Sequence, residues 1–148
     1  MEVVITDMDY EVDYYEGRTR KILVLGSAGQ VGAYLTDYLS RMGNEVLEFD
    51  ITNGSDQDMT VIPNGELEAK IYMADFVYFL AFDVGGSHYL KNYQHTFKFI
   101  DNNTRLMANA FGLIEKYKKP FVFASSQMSN MSYSPYGCLL YTSPSPRD

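Results

Sequence analysis

Three glycines, Gly26, Gly29 and Gly32, stand directly behind the apolar run Lys21-Ile-Leu-Val-Leu25, and they constrain this chain more than any other feature. The run has the length and composition of a buried parallel strand. Beyond the glycines, Val31, Leu35, Leu39 and Met42 recur at helical spacing, and Gly43 follows as a stop. Glu45-Val-Leu-Glu-Phe-Asp50 then reads as a second strand. In such a β-α-β unit the first glycine permits the sharp turn, the second admits a pyrophosphate to the backbone, and the third lets helix and strand pack closely. The helix start offers free N–H groups and a positive dipole end to phosphates.

Asp50 ends the second strand, eighteen residues past Gly32. A carboxylate there can accept hydrogen bonds from both adenosine ribose hydroxyls and would repel a 2′-phosphate, which favours NAD over NADP. The residues after it, Ile51, Thr52 and Asn53, include no arginine to reverse that preference. The plain alternative is an acidic turn residue in solvent. The expected cofactor-binding set is therefore Gly26, Ser27, Gly29, Gln30, Val31, Gly32 and Asp50.

The rest of the chain repeats the alternation. Residues 51–65 are polar and turn-rich, with a short strand expected near Met59 to Ile62, and Glu66 to Met73 suits a short helix. Asp75 to Ala81 reads as a strongly apolar strand, followed by the turn Asp83-Val-Gly-Gly86. A long helix is expected from about Tyr93 to Lys118. It carries two apolar stripes, Phe97, Ile100, Met107, Phe111, Ile114 and Phe99, Leu106, Ala110, Leu113, Tyr117. Two such faces call for two partners, the sheet and a second subunit. Pro120 ends the helix, and Phe121-Val-Phe-Ala124 makes a further buried strand. The expected fold is α/β, a Rossmann-type doubly wound parallel sheet, incomplete on its C-terminal side.

Composition excludes several classes. A formal charge of −7 argues against nucleic acid, whose phosphates need clustered Lys and Arg. No apolar run is long enough for a membrane span, and the acidic start lacks the basic region of a signal peptide, so a cytoplasmic setting is expected. His88 and His95 stand seven apart without cysteine or paired carboxylates, and no metal site is expected. The Met128 and Met131 pair is read as packing.

Three segments result. Residues 1–20 form an acidic extension, with loose alternation at Val3-Val4-Ile5 and Tyr10-Glu11-Val12, that either adds an edge strand or stays mobile. Residues 21–137 are expected to form a truncated NAD(P)-binding domain. Residues 138–148, rich in Ser, Thr and Pro, do not continue the apolar pattern. A single in-frame DNA string encodes all of Cys138 to Asp148 and resembles the adapter of transposase-based sequencing libraries. That segment is expected to be a non-native tail, which leaves Cys138, the chain's single cysteine, without assigned chemistry.

The G-x-x-G-x-x-G spacing resembles the extended short-chain dehydrogenases, the NAD-dependent epimerase/dehydratase group that acts on nucleotide sugars. Phe79-Leu-Ala-Phe82 resembles that family's H-L-A-A segment, with Phe79 at its frequent histidine. Val84-Gly85-Gly86 is similar to the glycine pair of the GDP-fucose synthase type. Phe99-Ile-Asp-Asn-Asn103, with Asn109 further on, resembles the start of the family's fourth helix, and Phe123-Ala-Ser-Ser126 its serine-rich fifth strand end. The resemblance adds Leu80, Ala81 and Asn103 to the cofactor-binding set. Asn103 would lie beneath the active site, shaping the strand ends; the other reading is a solvent-facing helix residue.

The same resemblance implies chemistry. Ser126 would hydrogen-bond the sugar hydroxyl that is oxidised, and Tyr136 would take its proton as hydride passes to the nicotinamide. A tyrosine needs a nearby cation to ionise near neutrality. The family supplies lysine four residues later, where this chain has Leu140. Ser126 and Tyr136 are only ten residues apart, which leaves open a base further downstream; Tyr133 is a weaker candidate. Ser125 and Ser126 also suit backbone capping at a strand end. The implied function is the N-terminal NAD-binding portion of a nucleotide-sugar epimerase or dehydratase, with a homodimer through the 93–118 helix. A net NAD(P)H-dependent reductase of the same family and a non-catalytic dinucleotide-binding regulator are the alternatives. The chain itself, without the lysine and a sugar-binding portion, is expected to be inactive.

Overall fold

A computed structural model describes residues 3–5, 19–85, 87–131 and 133–142. Tyr10-Glu11-Val12, Gly86 and the tail past Thr142 lie outside the described residues, as does the side chain of Met128.

Four parallel strands make the sheet: β2 (Lys21–Leu25), β3 (Glu45–Phe49), β4 (Phe76–Phe79) and β5 (Phe121–Ala124). A fifth, β1 (Val3–Ile5), pairs antiparallel with β5 in the register Val3 to Ala124. The spatial order is β1-β5-β4-β2-β3, so the chain crosses over between β3 and β4. Leu25 stands beside Phe49 on one side and Phe79 on the other, which brings three strand ends level. Ligands of doubly wound sheets bind at such carboxyl ends, where the strand order reverses.

Alternation along the strands sorts side chains between two layers. Leu23, Leu25, Phe49, Val77, Phe79, Phe121 and Phe123 face the larger core under α2 (Gly65–Met73), α4 (Phe97–Lys116) and α5 (Pro135–Thr142). Phe79, fully buried, has ring centroids 5.0 Å from Phe111 and 5.1 Å from Phe123. Its burial contributes about 2 kcal/mol before packing is counted. Phe79 is thus a core residue. Ile22 and Val24 face the other way, onto α1 (Gln30–Arg41), through Leu35 and Leu39. The outer members of that helical repeat, Val31 and Met42, are exposed, because a single helix over a sheet buries only its central stripe.

Three expectations change. The long helix forms as α4 but starts at Phe97 rather than near Tyr93, and a separate short helix, α3 (Ser87–Tyr93), precedes it. Thr96 sets that start: its hydroxyl donates to the Tyr93 carbonyl at 2.7 Å and accepts from the Phe99 amide at 3.3 Å, starting a new helix. The two stripes of α4 merge into one broad buried face of Phe99, Asn103, Leu106, Met107, Ala110, Phe111 and Ile114, while Phe97 is 82% exposed. No strand forms near Met59 to Ile62; the segment is a succession of turns. The Asp58 carboxylate causes this by accepting from both the amide and the hydroxyl of Thr60, which closes a local turn.

The Ser- and Thr-rich end of the chain is helical through Thr142. Ser134 caps α5 by accepting from the Gly137 amide at 3.1 Å, and Leu140 is 4% exposed in the larger core. Among the described residues, no helix is long and apolar enough to cross a membrane.

Candidate functional site

The glycine turn is built from β3 as much as from β2. The Gly26 amide donates to the Phe49 carbonyl at 2.8 Å, which bends the chain across the end of the neighbouring strand. Gly26 has φ +87°, in the left-handed region, and a Cβ there would stand 2.8 Å from the Ala81 amide nitrogen. A Cβ on Gly32 would lie 2.0 Å from the Gly26 carbonyl oxygen, so only hydrogen fits where α1 leaves the turn. Gly29 meets no comparable obstruction; its nearest neighbour would be 3.3 Å away, and it lines a cavity.

Asp50 closes the far side of the turn. Its Oδ2 accepts from the Ala28 amide at 3.1 Å, while Oδ1 accepts from the Thr52 amide and hydroxyl. The Asp50 amide in turn donates to the Gln57 side chain at 3.1 Å. A carboxylate accepts about four hydrogen bonds, so a lone-pair direction remains for a ligand.

The cavity has a volume of about 490 Å³, within the range of small-molecule sites. Gly26, Gly29, Asp50, Leu80 and Ala81 from the expected set line it. Ser27 is buried inside the turn, facing the Asn53 side chain at 3.5 Å. Gln30, Val31 and Gly32 belong to the first turn of α1, and none of the three lines the cavity. Asn103 is fully buried behind the wall. Its Oδ1 accepts from the Asp83 amide at 2.8 Å, and its amide nitrogen donates to the carbonyls of Phe99 and Asp83. Both N–H groups are therefore used internally, and Asn103 shapes the turn after β4.

Ser126 and Tyr136 do not line the cavity. Ser126 is half-buried past the end of β5, its carbonyl accepting from the Ser129 amide. Tyr136 is half-buried with its ring edge-on to Phe82 at 5.5 Å and Phe99 at 6.5 Å. Phe82 lines the cavity and is also in ring contact with Tyr136. Burial pushes the Tyr136 phenol above its usual range, opposite to what a base at neutral pH requires. Tyr133 is exposed.

Sequence reasoning missed most of the outer wall: Gln57, Asp58, Met59, Thr60, Tyr89, Lys98 and Asn102. The Asp-x-Thr turn signal was present at Asp58, yet it does not say which way a loop faces. The Asp83 carboxylate is held from two sides, by the Tyr89 hydroxyl at 3.3 Å and the Asn102 amide at 3.0 Å.

These residues fit a dinucleotide. The cap of α1 is a glycine with no side-chain hydrogen bond, whereas Asn64 and Thr96 cap α2 and α4 with theirs. No acidic residue stands in the first turn of α1 to compete with a phosphate. Fold and site together define a doubly wound α/β domain of the dinucleotide-binding class.

Residues 22–135 match the model of the NAD dependent epimerase/dehydratase family, and the chain belongs to that family. NAD is the cofactor that membership brings. The comparison with curated proteins found no match. Among solved structures, a short-chain dehydrogenase/reductase superfamily protein from Agrobacterium tumefaciens with bound NAD is similar at 21% identity and TM-score 0.63, over 82% of this chain and 42% of its own. UDP-N-acetylglucosamine 4-epimerase from Bacillus cereus is similar at 20% identity and TM-score 0.58, over 83% and 48%. dTDP-4-dehydrorhamnose reductase from Bacillus anthracis, in complex with NADP, is similar at 14% identity and TM-score 0.67, over 85% and 48%. At these identities the likeness is one of fold. The chain spans less than half the length of each of these structures.

Proposed function

We propose that this chain is the NAD-binding portion of a nucleotide-sugar epimerase or dehydratase, with residues 21–137 as the cofactor domain. The observation that carries the reading is the hydrogen bond between Ala28 and Asp50 beside the cavity. It joins a phosphate-binding turn to a ribose-binding carboxylate as one preformed surface. The first turn of α1 would receive the pyrophosphate on its free amides, Gly29 would let it approach, and the remaining lone pair of Asp50 would accept from a ribose hydroxyl. Leu80 and Ala81 would form the floor over which the dinucleotide extends.

When bound, NAD supplies a hydride acceptor for a sugar hydroxyl. In the parent enzyme Ser126 would orient that hydroxyl and Tyr136 would accept its proton; in this chain neither lines the cavity, and burial holds the Tyr136 phenol protonated. Leu140 stands one helical turn after Tyr136, so no ammonium from that position holds the phenol ionised. The chain as it stands is therefore proposed to bind NAD without turning over a sugar nucleotide.

Isothermal titration calorimetry with NAD and NADP tests the cofactor reading. Saturable NAD binding, tighter than NADP and weakened by Asp50→Ala, is the expected result. No heat from NAD at millimolar concentration, or equal affinity for both, would remove the Asp50 assignment. Turnover of a sugar nucleotide by this chain would sink the claim of inactivity.

A further inference from the structure

Asn109 is 9% exposed on the buried face of α4, three residues past Leu106, where the helix pattern calls for an apolar side chain. Its amide nitrogen donates to the Met59 carbonyl at 3.0 Å and the Val61 carbonyl at 3.1 Å, across 50 and 48 residues of chain. Both acceptors belong to the turn-rich segment that has no ladder or helix to hold it. Asp58, Met59 and Thr60 in that segment line the cavity. Asn64 shapes the same segment from its own end, donating to the carbonyls of Asp56 and Asp58 and accepting from the Leu67 amide. That bond set ties the segment to α2. Asn109 ties it to α4, whose Asn102 and Leu106 form another part of the cavity wall.

The segment lies on the Asp50 side, because the Asp50 amide donates to Gln57. In a dinucleotide site the acid at the end of the second strand marks the adenosine half. We infer that Asn109 is a positioning residue for the adenosine-side wall: by pinning the Met59 and Val61 carbonyls it holds residues 57–61 in the shape that receives the adenine nucleotide. The inference rests on the proposed NAD site. It assigns Asn109 no contact with the ligand, since Asn109 does not line the cavity and both its N–H groups are used on the loop.

The test uses the full chain, NAD as probe, and the variants Asn109→Leu and Asn109→Ser. Asn109→Ser is the milder change, since a hydroxyl and a water can still reach the loop carbonyls. Calorimetry gives the NAD dissociation constant, and saturation-transfer NMR reports how closely the adenine and nicotinamide protons of bound NAD lie against the protein. The expected result is about tenfold weaker NAD binding with a loss of adenine signal relative to nicotinamide. If Asn109→Leu does not fold, Asn109→Ser decides, with a smaller loss of affinity in the same direction and the same fading of the adenine signal expected. An unchanged dissociation constant, or a weaker one with the adenine-to-nicotinamide pattern intact, overturns the positioning role and leaves the NAD site standing. Failure of the wild-type chain to bind NAD overturns the site itself and the inference with it.

Discussion

The Asp50 carboxylate and the Ala28 amide meet at 3.1 Å, so the end of β3 and the turn after β2 form one hydrogen-bonded surface. The same carboxylate holds Thr52 at 2.8 Å through its other oxygen. Removing it would loosen the turn on one side and take away the proposed ribose contact on the other.

Asp50→Ala is therefore expected to weaken NAD binding by about tenfold or more, as the loss of charge-assisted hydrogen bonds would. NADP should lose less or gain, because the repulsion of its 2′-phosphate goes as well. Paired titrations with both dinucleotides check this, and an unchanged NAD/NADP ratio would count against the assignment.

Gly32→Ala tests the packing of the turn. A methyl group 2.0 Å from the Gly26 oxygen cannot be accommodated by a side-chain rotation, since the obstacle is backbone. A loss of about 2 kcal/mol in urea unfolding is expected. Gly65→Ala, whose Cβ would meet nothing within 4 Å, serves as the control and should cost little.

The acid limb of stability should depend on Glu68. Hydrogen bonds from Lys116 at 2.6 Å and from the Tyr117 hydroxyl at 2.6 Å, with the lysine's charge, hold its carboxyl below the ordinary value of 4.5. A lowered folded pKa gives stability that is whole above the unfolded value and lost as pH falls through the folded one. Below about pH 4.5 the wild type should therefore lose stability that Glu68→Gln never had. Thermal melting from neutral pH down to about pH 3 would read the difference as converging curves. The pair joins α2 to α4 at the surface, so salt should shrink the effect.

The alkaline limb should depend on Tyr136. Burial raises its phenol above 10.0, so the folded chain holds the proton where the unfolded chain releases it. That contribution is present below the unfolded value and declines as pH rises from there toward the folded pKa. Tyr136→Phe cannot ionise, and its unfolding midpoint should fall less steeply above about pH 10. Equal slopes for the two proteins would mean that the phenol is solvated in the fold.

The parallel sheet, the glycine turn and Asp50 were legible in the sequence because each rests on local chemistry. Runs such as Lys21–Leu25 and Phe121–Ala124 can only be buried, and glycine at Gly26 and Gly32 answers a steric demand within a few residues. The start of α4 was also locally encoded, in the Thr96 cap, although the apolar repeat that begins at Phe97 does not by itself mark it.

Tertiary structure alone decided the outer wall and the far side of the site. Asn103 was singled out in the sequence and Asn109 given no role, yet one grips the turn after β4 and the other the segment after β3. Phe82 lines the cavity and touches the Tyr136 ring, while Tyr136 itself does not line the cavity. Val3–Ile5 became an edge strand because β5 had an open side to pair with. The physical reason is common to these cases. Local sequence specifies which groups must be buried or bonded, while the partner of a buried amide or ring is chosen by contacts many residues away.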